Sequence, residues 1–278
     1  MFKINEIECG YSPNSPVVKI KSLEINRGEL IFLLGESGIG KSTLIETLGI
    51  MNNTILASSL GNAIYIKPDN SEVDLKSIWS KKDSFISDFR ASEYSFIFQE
   101  TNLLPSLSVG ENIAITGLLN SSNTLENIRK EIESALIDLG FNNQVYDRDV
   151  SQLSGGQKQR VAFLRSVFSD YNVIFGDEPT GNLDVNTSNL LISYLKKKLK
   201  LYKKSAIIVT HNIDLALSNA DKIVVISKKF HKDKMIGYLT TSNQINNINS
   251  TDWRTYENAL VDSPTQWILS KLNDEENE

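Results

Sequence analysis

The chain has 278 residues, a formal net charge of −5 and a hydrophobic fraction of 40 %, enough for one large core or two modest ones. The mild acidity argues against non-specific nucleic-acid binding, and the single cysteine, Cys9, excludes an intramolecular disulfide or a cysteine-built zinc site. The N-terminal MFKINEIECGY has no apolar run of signal-peptide length, and no stretch approaches the ~20 apolar residues that cross a bilayer, so the chain is expected to be cytoplasmic and to reach a membrane only through a partner.

In chain order, FKINEIEC, VVKIKSLEI and ELIFLL read as strands, separated by the Ser12-Pro13-Asn14-Ser15-Pro16 turn and by Asn26-Arg27-Gly28. The run Leu30–Leu34 is unbroken apolar, as a strand buried on both faces requires. Residues 41–51 have helical spacing at Leu44, Ile45, Leu48 and Met51. Residues 52–92 are less orderly, with a strand at Asn62–Ile66 and a polar stretch through Lys82. Tyr94–Phe98 reads as another strand. From Ser106 to Phe141 the pattern is helical, with Leu125, Ile128, Ile132, Leu136 and Leu139 on one face.

Short buried-type strands follow at Val173–Phe175, Ala206–Val209 and Ile223–Ile226, separated by helical segments at about 185–203 and 212–220. This alternation implies a parallel sheet, and the mostly helical stretch 100–170 reads as an inserted subdomain. The lysines Lys196-Lys197-Lys198 and Lys203-Lys204 read as a solvated helix face. From about Gln244 the chain is asparagine-rich, carries a short helix start at Ser263-Pro264 and closes with DEENE; a solvated appendage is expected.

Gly35-Glu36-Ser37-Gly38-Ile39-Gly40-Lys41-Ser42-Thr43 fits G-x-x-x-x-G-K-[ST] between a buried strand and a helix. Backbone N–H groups in such a loop turn inward on phosphates, and the helix N-terminus adds its positive dipole. Lys41 is expected on the β- and γ-phosphates, with the Ser42 hydroxyl on Mg²⁺. The apolar run Val173-Ile174-Phe175-Gly176 ends in Asp177-Glu178. A strand delivering those acids beside the loop would let Asp177 hold Mg²⁺ and Glu178 orient or deprotonate the attacking water.

A second glycine turn, Ser154-Gly155-Gly156, opens a helix from Gln157 within the inserted region. Because the first loop already serves the triphosphate bound by this chain, the economical reading is that the second grips one held by another copy. Two-fold symmetry then places two ATP molecules in one interface.

Here the motifs resemble a family. Leu153-Ser154-Gly155-Gly156-Gln157 resembles the signature of ABC-type ATPases, and the other elements follow in order. The resemblance implies that Tyr11 stacks on adenine, and that Gln99, closing SFIFQ, senses Mg²⁺ and a transmembrane partner. It makes Asn182-Leu183-Asp184 the D-loop and His211, after AIIVT, a switch histidine on the γ-phosphate. It covers about residues 2–228 and implies an α/β P-loop NTPase fold. A mostly parallel central sheet, an N-terminal antiparallel β subdomain and an inserted α-helical subdomain would make up an ATPase domain over 1–240. Residues 241–278 would be a C-terminal extension.

GDEPTGNLD at 176–184 and FQETNLLPSLSVGENI at 98–113 are similar to the branch serving lipoprotein release, macrolide and peptide efflux, and cell-division complexes. Gly176 departs from that pattern by replacing a larger apolar residue, and KKFHKDKMIGYL replaces the usual short glycine turn after Ser227.

The implied function is a homodimeric ATPase at the inner face of the membrane, closing around two Mg-ATP to drive a separate integral membrane permease. Efflux or extraction of a lipoprotein, peptide or drug-like cargo is the expected work. Leu103, Leu104 and Pro105 are candidates either for permease docking or for packed core. Two other readings stand beside this one. One is an ATPase that regulates or assembles a membrane complex, as in cell division. The other is a soluble ATPase on ribosomes or DNA, which the single cassette, short insertion and acidic charge disfavour.

Overall fold

The computed structural model describes residues 1–120, 125–231, 234–249 and 251–276. Strands β1 (Phe2–Cys9), β2 (Val18–Ile25) and β3 (Leu30–Leu34) lead into helix α1 (Lys41–Leu48), then β4 (Asn62–Ile66), β5 (Glu72–Asp74), α2 (Asp83–Glu93) and β6 (Tyr94–Ile97). Helices α3 (Val109–Asn120), α4 (Leu125–Asp138) and α5 (Gly155–Val167) follow without an intervening strand. The alternation then resumes with β7 (Val173–Asp177), α6 (Val185–Tyr202), β8 (Ser205–Val209), α7 (Ile213–Asn219) and β9 (Lys222–Val225). The last elements are β10 (Ser227–His231), β11 (Lys234–Leu239), β12 (Gln244–Asn247), β13 (Trp253–Thr255), α8 (Pro264–Asn273) and β14 (Glu275–Glu276).

Among the described residues the strands form two seven-stranded sheets. The central one runs β13-β12-β9-β3-β8-β7-β6, and its β9, β3, β8, β7 and β6 are mutually parallel. The other runs β14-β10-β11-β2-β1-β4-β5, antiparallel through β2, β1, β4 and β5. This is the expected mixed architecture.

Strand β3 explains why the two layers hold together. All five of its residues are buried, but they divide between two cores. Leu30, Phe32 and Leu34 face the helices α3–α8, whereas Ile31 and Leu33 face α1 and the second sheet. Successive side chains of a strand point to opposite faces, so an uninterrupted apolar run is what a doubly covered strand needs. Each fully buried Leu, Ile or Phe contributes about 1.5–3 kcal/mol relative to exposure.

Three expectations are corrected. The stretch 52–92 is more ordered than it reads: β5 pairs with β4, and α2 buries Ile86 and Phe89. Phe89 meets Tyr65 and Tyr94 edge-on in an aromatic cluster, a long-range packing that local periodicity does not reveal.

The segment after Gln244 is not a solvated appendage. β12 pairs with β9 (Ile245 opposite Ile223), and Ile245, Trp253 and Ile268 enter the core. The asparagine just before this segment bonds protein groups instead of water. Asn243 is fully buried, accepts from Thr240 N at 2.9 Å and donates to Ser227 Oγ at 3.0 Å.

Nor are all the lysines of α6 solvated. Lys196 bonds Asn219 O at 2.6 Å and pairs with Asp221, and Lys198 lies over the rings of Phe168, Tyr194 and Tyr202. Long alkyl stems let such residues cover apolar surface while their charge finds a partner.

In and just after α4, Ile128, Ile132, Leu136 and Leu139 are buried as expected. The side chain of Leu125, Lys232-Asp233 of the hairpin, and the final Asn277-Glu278 lie outside the described residues.

Candidate active site

The loop Gly35–Gly40 joins the end of β3 to α1, so its backbone N–H groups open at the C-terminal edge of the central sheet. Gly40 caps α1 with φ +105°, a conformation open to glycine, and a Cβ there would sit 2.1 Å from Val18 Cγ2. Ser37, Gly38 and Ser42 are exposed, whereas Ile39 and Thr43 are buried beneath the loop.

Lys41 is 9 % exposed, and its Nζ donates to Gly35 O at 2.9 Å and Glu36 O at 2.7 Å. Burial pulls its pKa below the ordinary lysine value, and the carboxylates of Glu178, Asp177 and Glu36 oppose that shift. A desolvated ammonium hydrogen-bonded to neutral carbonyls favours an incoming anion.

Strand β7 brings the acids. It pairs with β8 so that Asp177 lies opposite Val209, and Ser42 Oγ donates to Asp177 Oδ2 at 2.9 Å. Glu178 follows with φ +48°, a left-handed conformation uncommon for a side-chain-bearing residue. Its N–H is fixed on Val209 O at 3.1 Å, and its carbonyl accepts from Gly181 N at 3.1 Å. His211, just beyond β8, places Nδ1 3.4 Å from Glu178 Oε1. Backbone strain of this kind, overdetermined by hydrogen bonds, is characteristic of functional positions.

Tyr11 is 59 % exposed and reaches the same loop: its hydroxyl donates to Glu46 Oε2 at 2.8 Å and lies 3.3 Å from Thr43 Oγ1. Desolvation, the largest influence, raises its pKa. Gln99 is exposed two residues beyond Ile97, which pairs with Gly176, and its side chain makes no hydrogen bond or ion pair among the described residues. Gly176 itself is explained by packing, since a Cβ would approach Ile208 Cδ1 to 2.8 Å.

The chain thus brings together Tyr11, the loop through Thr43, Asp177, Glu178 and His211. It does not bring Ser154, Gly155, Gly156 or Gln157 to them; these share no hydrogen bond or ion pair with the loop among the described residues. They build a capping box on α5, with Gln157 N donating to Ser154 Oγ at 3.3 Å and Ser154 N to Gln157 Oε1 at 2.9 Å. A Cβ on Gly155 would meet nothing within 4 Å, whereas one on Gly156 would approach Leu183 Cδ2 to 3.2 Å. Asp184 caps α6 by accepting from Thr187 N and Oγ1, hydrogen bonds that hold its pKa below the usual carboxylate value.

Two residues escape motif reading. Buried Gln159 donates to Pro179 O at 2.8 Å, tying the signature helix to the segment after Glu178. Lys228 pairs with Glu36 from the C-terminal hairpin. Neither contact leaves a local signal in sequence. Of the docking candidates, Leu103 packs on the core, whereas Leu104 and Pro105 are exposed. Among the described residues, no helix is long and apolar enough to cross a membrane.

The family described as ABC transporter matches residues 18–181. The chain is 35 % identical to the lipoprotein-releasing system ATP-binding protein LolD of Rickettsia prowazekii, over 74 % of this chain and 86 % of that one. It is 32 % identical to the macrolide export ATP-binding/permease protein MacB of Pasteurella multocida, over 76 % of this chain and 30 % of that one. A dimeric ATP-binding cassette, MJ0796, in a post-hydrolysis state with ADP and Pi, superposes with a TM-score of 0.65 at 27 % identity, covering 81 % of this chain and 94 % of its own. The loop, the acids at the end of β7 and the signature turn therefore have a common account: the chain belongs to the ABC transporter family, as an ATP-binding and ATP-hydrolysing cassette.

Proposed function

We propose that two copies of this chain enclose two ATP molecules and drive a separate integral membrane permease from the cytoplasmic face. The lipoprotein-releasing and macrolide-exporting relatives favour extraction or efflux of an amphiphilic cargo. The observation that carries the dimer is Gly155: apart from its chain neighbours and its own helix backbone, no atom of its chain comes within 4 Å of where a Cβ would stand. Its smallness is thus unexplained by the monomer and suits close approach by another molecule.

The residues then take the following roles. The Gly35–Gly40 backbone and Lys41 bind the phosphates, and the Tyr11 ring is offered to the adenine. Glu178 orients the attacking water and accepts its proton, and His211 beside it contacts the γ-phosphate. Ser154–Gln157 and Asp184 of the opposite copy close the site. The Ser42 hydroxyl and Asp177 carboxylate are hard oxygen donors held side by side. They fit Mg²⁺, which keeps several waters and takes few protein ligands besides substrate phosphates. Gln99 is proposed as a further oxygen donor there. Bound with ATP, the ion supplies neutralisation of phosphate charge. Loss of the γ-phosphate removes contacts shared by both copies, so hydrolysis reopens the dimer, and Gln99 with exposed Leu104 and Pro105 carries that motion to the permease.

The test is the mass of Glu178→Gln by light scattering with Mg-ATP, where a dimer is expected. Adding Gly155→Asp, which fits the monomer sterically, should return it to monomer while each chain still binds ATP. A Gly155→Asp protein that dimerises unchanged would remove the signature turn from the interface.

A further inference from the structure

The hairpin β10–β11 sets two cross-strand partners, Lys228 and Gly237, against the phosphate-binding loop. Lys228 Nζ lies 2.5 Å from Glu36 Oε1. Gly237 packs so closely under the loop that a Cβ would come within 2.3 Å of Ile39 O. The two contacts fall at the two ends of one arc, and Ile39 N donates to Glu36 O across it at 3.4 Å. The hairpin is itself anchored on both sides. β11 pairs with β2 (Gly237 opposite Val18), and β14 pairs with β10 (Lys228 opposite Glu275).

Glu36 is therefore held twice: its carbonyl accepts from Lys41 Nζ, and its carboxylate is paired by Lys228. The Lys228 side chain is 18 % exposed and that of Glu36 48 %, so the ammonium is the more buried partner. A half-exposed pair adds little to stability. Its effect lies in the local field, because an uncompensated carboxylate on a phosphate-binding loop repels the polyanion that the loop must receive.

We propose that Lys228 is a positioning residue for nucleotide binding. It neutralises Glu36 and, with Gly237, holds the Glu36–Ile39 arc in the shape that receives phosphates. This rests on the reading of Gly35–Thr43 as the triphosphate site, and it gives the C-terminal hairpin a part in that site.

The experiment measures ATP and ADP affinity of the full chain by calorimetry at low and high salt. Lys228→Ala is expected to weaken ATP about tenfold and ADP less, with the loss shrinking as salt screens the exposed carboxylate. Adding Glu36→Gln to Lys228→Ala should restore ATP affinity to within about twofold of wild type, since it removes the charge left uncompensated. Equal loss in the single and double variants, or a loss indifferent to salt and phosphate number, would overturn the proposal. So would unchanged ATP affinity in Lys228→Ala.

Should Lys228→Ala fail to fold, Glu36→Gln alone still decides. It leaves Lys228 unpaired beside the loop, and ATP is expected to bind about threefold tighter with a steeper salt dependence. Unchanged affinity there refutes the idea. If folded wild-type chain binds no ATP at all, the triphosphate reading itself falls, an outcome distinct from any of these.

Discussion

Ser42 and Asp177 stand 135 residues apart in sequence, yet the serine hydroxyl donates to the carboxylate at 2.9 Å. Strand order produces the contact. β3 and β7 both flank β8 in parallel, so the loop after β3 and the acid ending β7 emerge at the same edge.

Asp177→Asn separates charge from geometry, since an amide oxygen can still accept from Ser42. The thermal midpoint without nucleotide should stay close to wild type. The Mg²⁺ concentration needed for half-maximal ATP binding is expected to rise about 10- to 100-fold. A Mg²⁺ titration superimposable on wild type would take Asp177 out of the metal site.

Glu178 has its backbone fixed by Val209 O and its carboxylate beside His211. Glu178→Gln preserves that shape but cannot take a proton, so phosphate release should fall about 10²- to 10⁴-fold while ATP affinity is kept. Steady-state turnover near wild type would show that another group activates the water.

Cys9 is fully buried on β1, and burial pushes its thiol up to about 11 from an ordinary value near 9. The unfolded thiol therefore ionises at lower pH than the folded one. Its stabilising contribution is complete below about pH 9 and is lost as pH rises through about 11, a decline of about 3 kcal/mol. Urea midpoints from pH 8 to 11 should fall more steeply for wild type than for Cys9→Ala. Parallel declines would mean that the thiol does not govern the alkaline limb.

Trp253 is 4 % exposed, in a segment whose composition reads as solvent-facing. Trp253→Ala should cost about 3–5 kcal/mol in denaturant unfolding. Tyr256→Ala, three residues on at an exposed site, should stay within about 0.5 kcal/mol of wild type. Equal small effects at both positions would return this segment to the periphery.

Much of the cassette is legible without coordinates because its signals are local. The unbroken LIFLL, the glycine–lysine loop and the acids after VIFG each carry their meaning within a few residues, and β3, α1 and β7 lie where those signals put them. What escapes is long-range. Phe89 is one apolar residue among polar neighbours until Tyr65 and Tyr94 close over it. Asn243 counts as polar in any composition, yet its amide is used up by Thr240 and Ser227. The Lys228–Glu36 pair has no sequence signature at all.

The pairing of β11 with β2, and of β12 with β9, also bears on how the molecule forms. An open edge on each sheet stays without its neighbour until residues beyond 233 have left the ribosome. Closing Val18 onto Gly237 encloses most of the chain in one loop, the kind of distant contact that slows folding. Nascent cassettes should accordingly expose strand edges to chaperones, or to one another, through most of their synthesis.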